Sequence, residues 1–195
     1  MESLKNMIRS EGRVIGTEIL KVDQFLNHQI NPELMKEIGE TFASRFAGLG
    51  VTKVITLESS GIAPALFTAL YLGVPVVFAK KTESRNLDAD TYQASVHSFT
   101  RGGEYIVRIS RRYLDSEDTV LLIDDFLARG RALLGLLEIA GQAGAKVAGA
   151  GIVIEKGFQD GGTLIRNMGI RVESLAIVSS MSEKESKIHF ADEEA

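Results

Sequence analysis

The stretch TVLLIDDFLARGRALLG, Thr119 to Gly135, decides how the rest of the chain is read. Val120–Ile123 is a continuous apolar run, the pattern of a strand covered on both faces of a parallel sheet. Two carboxylates, Asp124 and Asp125, stand where that strand is expected to end. A short turn with Ala128, Arg129 and Gly130 follows, and the Leu-rich segment Ala132–Ile139 reads as a helix. In open α/β sheets ligands bind beyond the carboxyl ends of the strands. A Gly-containing turn that opens a helix offers free N–H groups to a phosphate. The two acids would repel that phosphate, so they need another partner. A carboxylate only accepts hydrogen bonds, and sugar hydroxyls next to a phosphate would suit it. The pattern therefore points to a ribose phosphate. An Asp pair after a strand also marks metal-binding receiver domains, but there it belongs to the first strand, and here more than half of the chain precedes it.

Strand, Asp-Asp, small turn and helix together resemble the ribose-phosphate motif of type I phosphoribosyltransferases, which use 5-phosphoribosyl 1-diphosphate (PRPP). The common form of that turn carries Thr or Ser around its Gly, whereas this chain has Ala128-Arg129-Gly130-Arg131-Ala132. With KVDQFLNHQI at 21–30, LESSGIAPA at 57–65 and IEKGF at 154–158, the likeness covers nearly the whole chain. It falls in the bacterial branch of the family that acts on xanthine.

Composition sets the outer bounds. At 195 residues, 45% hydrophobic and 25% charged, the chain fits one domain able to bury a core. A net charge of −4 argues against broad nucleic-acid binding. There is no Cys, and His28, His97 and His189 are far apart, so thiolate chemistry and a His- or Cys-based metal motif are excluded. The charged start MESLKNMIRSEG does not read as a signal peptide, and no apolar run reaches membrane-spanning length. A cytoplasmic protein without membrane or nucleic-acid partners is expected.

Taken in order, Glu2–Ser10 reads as a helix stopped at Gly12, and Ile19–Val22 as a short apolar piece. Asn31 and Pro32 start a clear helix with Leu34, Ile38, Phe42 and Phe46 at four-residue spacing. Val51–Leu57, Val76–Ala79, Val120–Ile123 and Val147–Ile154 read as core strands, with Ile62–Leu72 the first crossover helix. Glu83–Tyr92 reads as a polar loop. Gln93–Phe99 and Tyr105–Ser110 read as strands joined by the hairpin signal Thr100-Arg101-Gly102-Gly103. A helix over Gln159–Met168 and short strands over Arg171–Ile177 and Lys187–Phe190 complete the chain. The fold class is α/β: an open, mostly parallel sheet with helices on both faces and a β-hairpin flap. Residues 1–30 and 155–195 are expected to stand outside the sheet, as a small cap on a core of about 31–154 within a single domain.

The resemblance implies roles for these residues. The turn Ala128, Arg129, Gly130, Arg131 and Ala132 would hold the 5-phosphate, and Asp124 and Asp125 the ribose hydroxyls. Ser59, Ser60 and Gly61 would form the diphosphate loop. Lys80 and Lys81 would be the basic diphosphate contact, reached in this family from a partner subunit of a homodimer. Gln93–Ser110 would be a mobile flap, and the terminal segments the hood that holds the base. Lys156, Leu20 and Asn27 would contact xanthine, with Leu20 acting through its backbone or apolar chain. Lys156 donates and cannot accept, which favours 6-oxopurines over adenine. Phe126 and Phe158 are further stacking candidates outside this set. Mg²⁺ is expected to arrive with PRPP, without a dedicated protein metal site. The expected reaction is phosphoribosyl transfer from PRPP to xanthine, in purine salvage. The alternatives are a hypoxanthine/guanine enzyme, or a PRPP-sensing regulator without catalysis. The second would need a DNA-binding domain, for which the segment before the core is too short and the chain too acidic.

Overall fold

The computed structural model describes residues 1–81, 90–97 and 103–193. Residues 83–89 of the expected polar loop and 98–102 around the hairpin tip lie outside them.

The N-terminal helix α1 (Glu2–Glu11) buries Leu4 and Ile8 and stops at Gly12, whose N–H bonds the carbonyl of Ile8. A small hairpin of β1 (Arg13–Ile15) and β2 (Ile19–Lys21) follows, then a π-helical turn over Asp23–Asn27. Asn31 caps α2 (Pro32–Arg45) by accepting from the Leu34 amide at 3.1 Å, with Pro32 in the first turn, as the sequence predicts. The core then alternates: β3 (Lys53–Leu57), α3 (Ile62–Leu72), β4 (Val76–Ala79), the hairpin β5 (Thr91–His97) and β6 (Glu104–Ser110), β7 (Thr119–Leu127), α4 (Arg131–Ala143), β8 (Lys146–Lys156), α5 (Gly161–Asn167), β9 (Val172–Ser182) and β10 (Lys187–Phe190).

The central sheet has six strands in the order β10-β9-β8-β7-β3-β4. All neighbours are parallel except β10, which runs antiparallel to β9. Alternation along β7 sends Leu121 and Ile123 into one apolar cluster with α1, α2 and α3, and Val120 and Leu122 into another with α4 and the β5–β6 hairpin. That two-sided burial is why β7 reads as an unbroken apolar run.

Two expectations are corrected. β7 does not end at Ile123 but continues through Asp124 and Asp125 to Leu127. The apolar run marked two-sided burial, not strand length: β8 reaches Lys156 and keeps pairing with β7 as far as Leu127, whereas pairing with β3 stops at Leu122. The acids therefore sit on an overhang, open on the β3 side. Residues 155–195 do not stand outside the sheet, because β9 and β10 are two of its strands. Of the two terminal segments, residues 1–30 alone contribute no strand to the central sheet.

Candidate active site

The overhang of β7 faces two cavities that share Asp124, Tyr105, Phe126 and Ala132. The smaller, about 240 Å³, is lined by Glu58, Ser59, Ser60, Gly61, Lys81 and both aspartates. The larger, about 570 Å³, is lined by Leu127–Leu133, Lys156 and Gln159, together with Glu18 and Ile19.

The turn before α3 approaches the acids closely. A Cβ on Gly61 would lie 2.1 Å from Thr56 Oγ1 and 3.2 Å from Asp124 Oδ1, so no side chain fits there. The Glu58–Ser59 peptide in this turn is cis. The Glu58 carboxylate accepts from the Lys81 amide, which ties the end of β4 to the same turn.

The turn before α4 is built from backbone. Gly130 takes φ +73, no side chain caps the helix, and the residues that open it, Gly130 to Leu133, line the larger cavity. The loop is pressed from behind by α5: Gly161 donates to the Ala128 carbonyl at 3.0 Å, and a Cβ on Gly161 would lie 2.4 Å from that oxygen and 2.5 Å from the Gly130 nitrogen. Glu155 anchors α5 in turn. It receives both terminal nitrogens of Arg166, at 2.7 and 2.8 Å, and the Ser174 hydroxyl.

Electrostatically the acids are under strain. Asp124 is 6% exposed. Burial pushes its carboxyl well above the usual range and Asp125 pushes it further, with Lys81 offsetting only part. Burial also raises Asp125, against hydrogen bonds from Asp124 and Asn27. Two neighbouring carboxylates taken out of water do not both ionise readily. Donors from a ligand, or a cation, would relieve them. Among the described residues no group of three or more His, Cys, Asp or Glu is arranged to hold a metal ion.

Most residues singled out in the sequence meet here: Asp124, Asp125, Ser59, Ser60, Gly61, Lys81, Ala128, Arg129, Gly130, Arg131, Ala132 and Lys156 all line one cavity or the other. Lys80 does not. Successive strand residues face opposite sides, so its ammonium lies over the Phe78 ring at 5.9 Å and it lines a separate hollow with Arg108 and Tyr113. The Leu20 side chain is also not in the cavity; it is buried in the core, which leaves only its backbone for a ligand. Its neighbour Ile19, 49% exposed, lines the cavity instead. Asn27 reaches Asp125 rather than the cavity wall. Lys156 donates to the Glu18 carbonyl at 2.6 Å and lies 5.7 Å above the Phe126 ring. Burial lowers its pKa, which Glu18 partly counters. Phe126 lines both cavities, and Phe158 neither.

Sequence reading passed over Tyr105, Gln159, Ile19 and Gly161. Tyr105 projects from β6 between the cavities, with the Lys81 ammonium 5.4 Å from its ring, and burial together with Asp124 raises its hydroxyl pKa. The Gly161-Gly162 doublet was the one visible signal, since paired glycines often mark close backbone approach.

Comparison with known proteins agrees with this geometry. The phosphoribosyl transferase domain model matches residues 22–184. A xanthine phosphoribosyltransferase of Ruminiclostridium cellulolyticum is 58% identical, over 93% of this chain and 95% of its own. Another from Oceanobacillus iheyensis is 56% identical, over 94% of each chain. Among solved structures, adenine phosphoribosyltransferase from Rhodothermus marinus superposes with a TM-score of 0.72 at 19% identity, over 91% of this chain and 100% of that one, a likeness of fold alone. A matching domain model over most of the chain, full-length relatives above half identity and a carboxylate pair set between two phosphate-sized turns lead to one assignment: the chain belongs to the phosphoribosyl transferase family.

Proposed function

We propose that this protein transfers the phosphoribosyl group of PRPP to xanthine, giving xanthosine 5-monophosphate and pyrophosphate. The observation that carries the reading is the position of Asp124 and Asp125, on the strand overhang between the Glu58–Gly61 and Ala128–Ala132 turns. The choice of xanthine is favoured by the relatives' names, and Lys156 at the larger cavity favours a 6-oxopurine over adenine.

In this reading the 5-phosphate rests on the N–H groups opening α4, where the helix dipole favours an anion. The ribose hydroxyls donate to Asp124 and Asp125, adding hydrogen bonds that favour the charged form of the pair. The pyrophosphate lies along Ser59–Gly61 with Lys81 beside it. The bond from the anomeric carbon to the pyrophosphate oxygen breaks, and the electron pair leaves with pyrophosphate. The ring nitrogen of the base bonds to the same carbon and its proton passes to solvent. The positive charge that develops on the sugar lies above two carboxyls, so positioning and electrostatics supply the catalysis. Xanthine is acidic enough to react partly as its anion, and no dedicated base is required.

Mg²⁺ belongs to this proposal as the companion of PRPP. It takes few protein ligands and keeps waters, and a cation beside Asp124 and Asp125 would offset their mutual repulsion. Its chemistry would be to neutralise diphosphate charge. The N-terminal segment, with the ends of β8 and β9, would act as the hood over the base, in one domain spanning the chain. The β5–β6 hairpin would act as a flap that keeps water from the sugar cation. The turned-away Lys80 favours a homodimer in which it serves the neighbouring site, and sedimentation at assay concentration measures that state. Among the described residues no helix is long and apolar enough to cross a membrane.

The test is to incubate the protein with PRPP, Mg²⁺ and each of xanthine, guanine, hypoxanthine and adenine, and identify the nucleotide. Xanthosine monophosphate should form fastest and adenine should be inert. Faster use of hypoxanthine or guanine would move the enzyme to that branch, and the absence of any nucleotide would refute phosphoribosyl transfer.

A further inference from the structure

We infer that Gln159 is a specificity-determining contact for the acceptor base, taking a hydrogen bond from the ring N–H that adjoins the 6-oxygen. The inference rests on the 6-oxopurine reading above and assigns it a second residue.

Gln159 follows Lys156 by one tight turn: its amide donates to the Lys156 carbonyl at 2.9 Å, while Gly157 donates to Val178 on β9 at 2.8 Å. The turn is thus fixed to the sheet, and both residues line the larger cavity. The side-chain oxygen of Gln159 is shut away from solvent and has no hydrogen-bond partner. Among the described residues one other buried side-chain oxygen is in that state, Thr56 Oγ1, packed behind Gly61. An orphan acceptor in a folded protein is costly, so it calls for an explanation.

The explanation has to be a donor, which removes most of the cavity's occupants. Phosphate and pyrophosphate oxygens are acceptors and would meet an acceptor. The ribose hydroxyls are taken by Asp124 and Asp125. What remains is the purine. Xanthine presents, side by side, an accepting 6-oxygen and a donating N1–H. Lys156 only donates and the Gln159 oxygen accepts, so the two side chains match that edge in order. Adenine presents the reverse, a donating amino group and a bare N1, and meets Lys156 donor to donor. Lys156 alone sees one atom, whereas Lys156 with Gln159 sees two and fixes the register of the ring. The Glu18 carbonyl that holds Lys156 at 2.6 Å in this structure stands in for the 6-oxygen, and nothing stands in for the N1–H.

An amide can turn and donate instead, so the test uses a residue that cannot. Gln159→Met keeps the length and removes both functions, and Gln159→Glu keeps acceptance alone. Wild type and both variants would be assayed with xanthine and with xanthine methylated on N1, with KM for PRPP measured in parallel. Gln159→Met should lower kcat/KM for xanthine about tenfold or more, narrow the gap to the methylated base and leave KM for PRPP unmoved. Gln159→Glu should stay within a few-fold of wild type on xanthine. Since the lost oxygen has no partner to strand, Gln159→Met should melt no lower than wild type. An unchanged xanthine rate in Gln159→Met, or a rise in KM for PRPP with discrimination at N1 intact, overturns the assignment. Either result leaves the transfer reaction standing, because the wild type is active in the same assay. A wild type that makes no nucleotide from any purine refutes the transfer and this contact with it.

Discussion

Two acidic sites bracket β7, and they are built in opposite ways. At the entry, Asp118 is buried and fully served: it accepts from Lys53 Nζ at 2.6 Å, the Thr52 hydroxyl at 2.9 Å and the Asp115 amide at 3.1 Å. Burial pushes its carboxyl up, but these partners outweigh burial and hold it below the usual range. At the exit, Asp124 is as deeply buried, with the Asp125 amide at 3.0 Å and a neighbouring acid for company, and its carboxyl is held well above that range. One stretch of eight residues, Asp118 to Asp125, thus carries a carboxylate that stabilises the fold and a pair that works against it. The difference marks where stability is given up for a ligand.

The largest effect should come from the exit. Asp124→Asn with Asp125→Asn removes the acceptors for the ribose and should lower turnover by about two to four powers of ten, by analogy with other preorganised electrostatic groups. The fold should survive, because Asn nearly keeps the shape of Asp and removes a charge that burial disfavours. Steady-state rates beside circular dichroism check both halves, and a fully active double variant would break the comparison.

Next comes the entry. Asp118→Ala strands the Lys53 ammonium and the Thr52 hydroxyl and should cost about 2 kcal/mol, several degrees of melting temperature. Activity per folded molecule should stay near wild type well below the melting point. The low pKa makes this contribution fully present above the ordinary aspartate value of 3.8, and it fades as pH falls through the depressed value. Denaturant titrations at neutral and acid pH would show it.

A smaller effect separates two glycines. Gly161→Ala must push into the backbone of Ala128–Gly130, so KM for PRPP should rise about tenfold or more, with a smaller change in kcat. Gly141→Ala, on α4 with nothing within 4 Å of its new Cβ, should leave kinetics alone and stabilise by about 0.5–1 kcal/mol. Equal kinetics for the two variants would mean that α5 does not position the phosphate turn.

The fold was legible because its signals are local. Apolar runs gave β3, β4, β7 and β8, and Asn31 with Pro32 gave the start of α2. The acids, both turns and Lys156 were legible because strand ends and Gly turns carry their chemistry within a few residues. The missed residues act across distance. Gly161 matters only because the β8–α5–β9 crossover brings α5 against the phosphate turn. Ile19 rather than Leu20 faces the cavity because of how a three-residue strand packs on the core. Lys80 and Lys81 part by alternation, which no motif records. The place of β9 and β10 in the sheet was missed because an apolar pattern marks a strand but not its pairing partner: β9 runs beside β8 and β10 closes that edge.

The exit pair is a built-in electrostatic penalty on folding. A folded-state pKa above the unfolded one means that folding holds a proton between the two values, so stability falls as pH rises through that window. The direct measurement is the melting temperature of wild type and of Asp124→Asn/Asp125→Asn across pH, without ligand. Near or below 3.8, the ordinary aspartate value, the two curves should nearly coincide. As pH rises toward neutrality the double variant should become progressively the more stable protein. A variant that melts below wild type at neutral pH, or a difference that does not change with pH, would contradict the account.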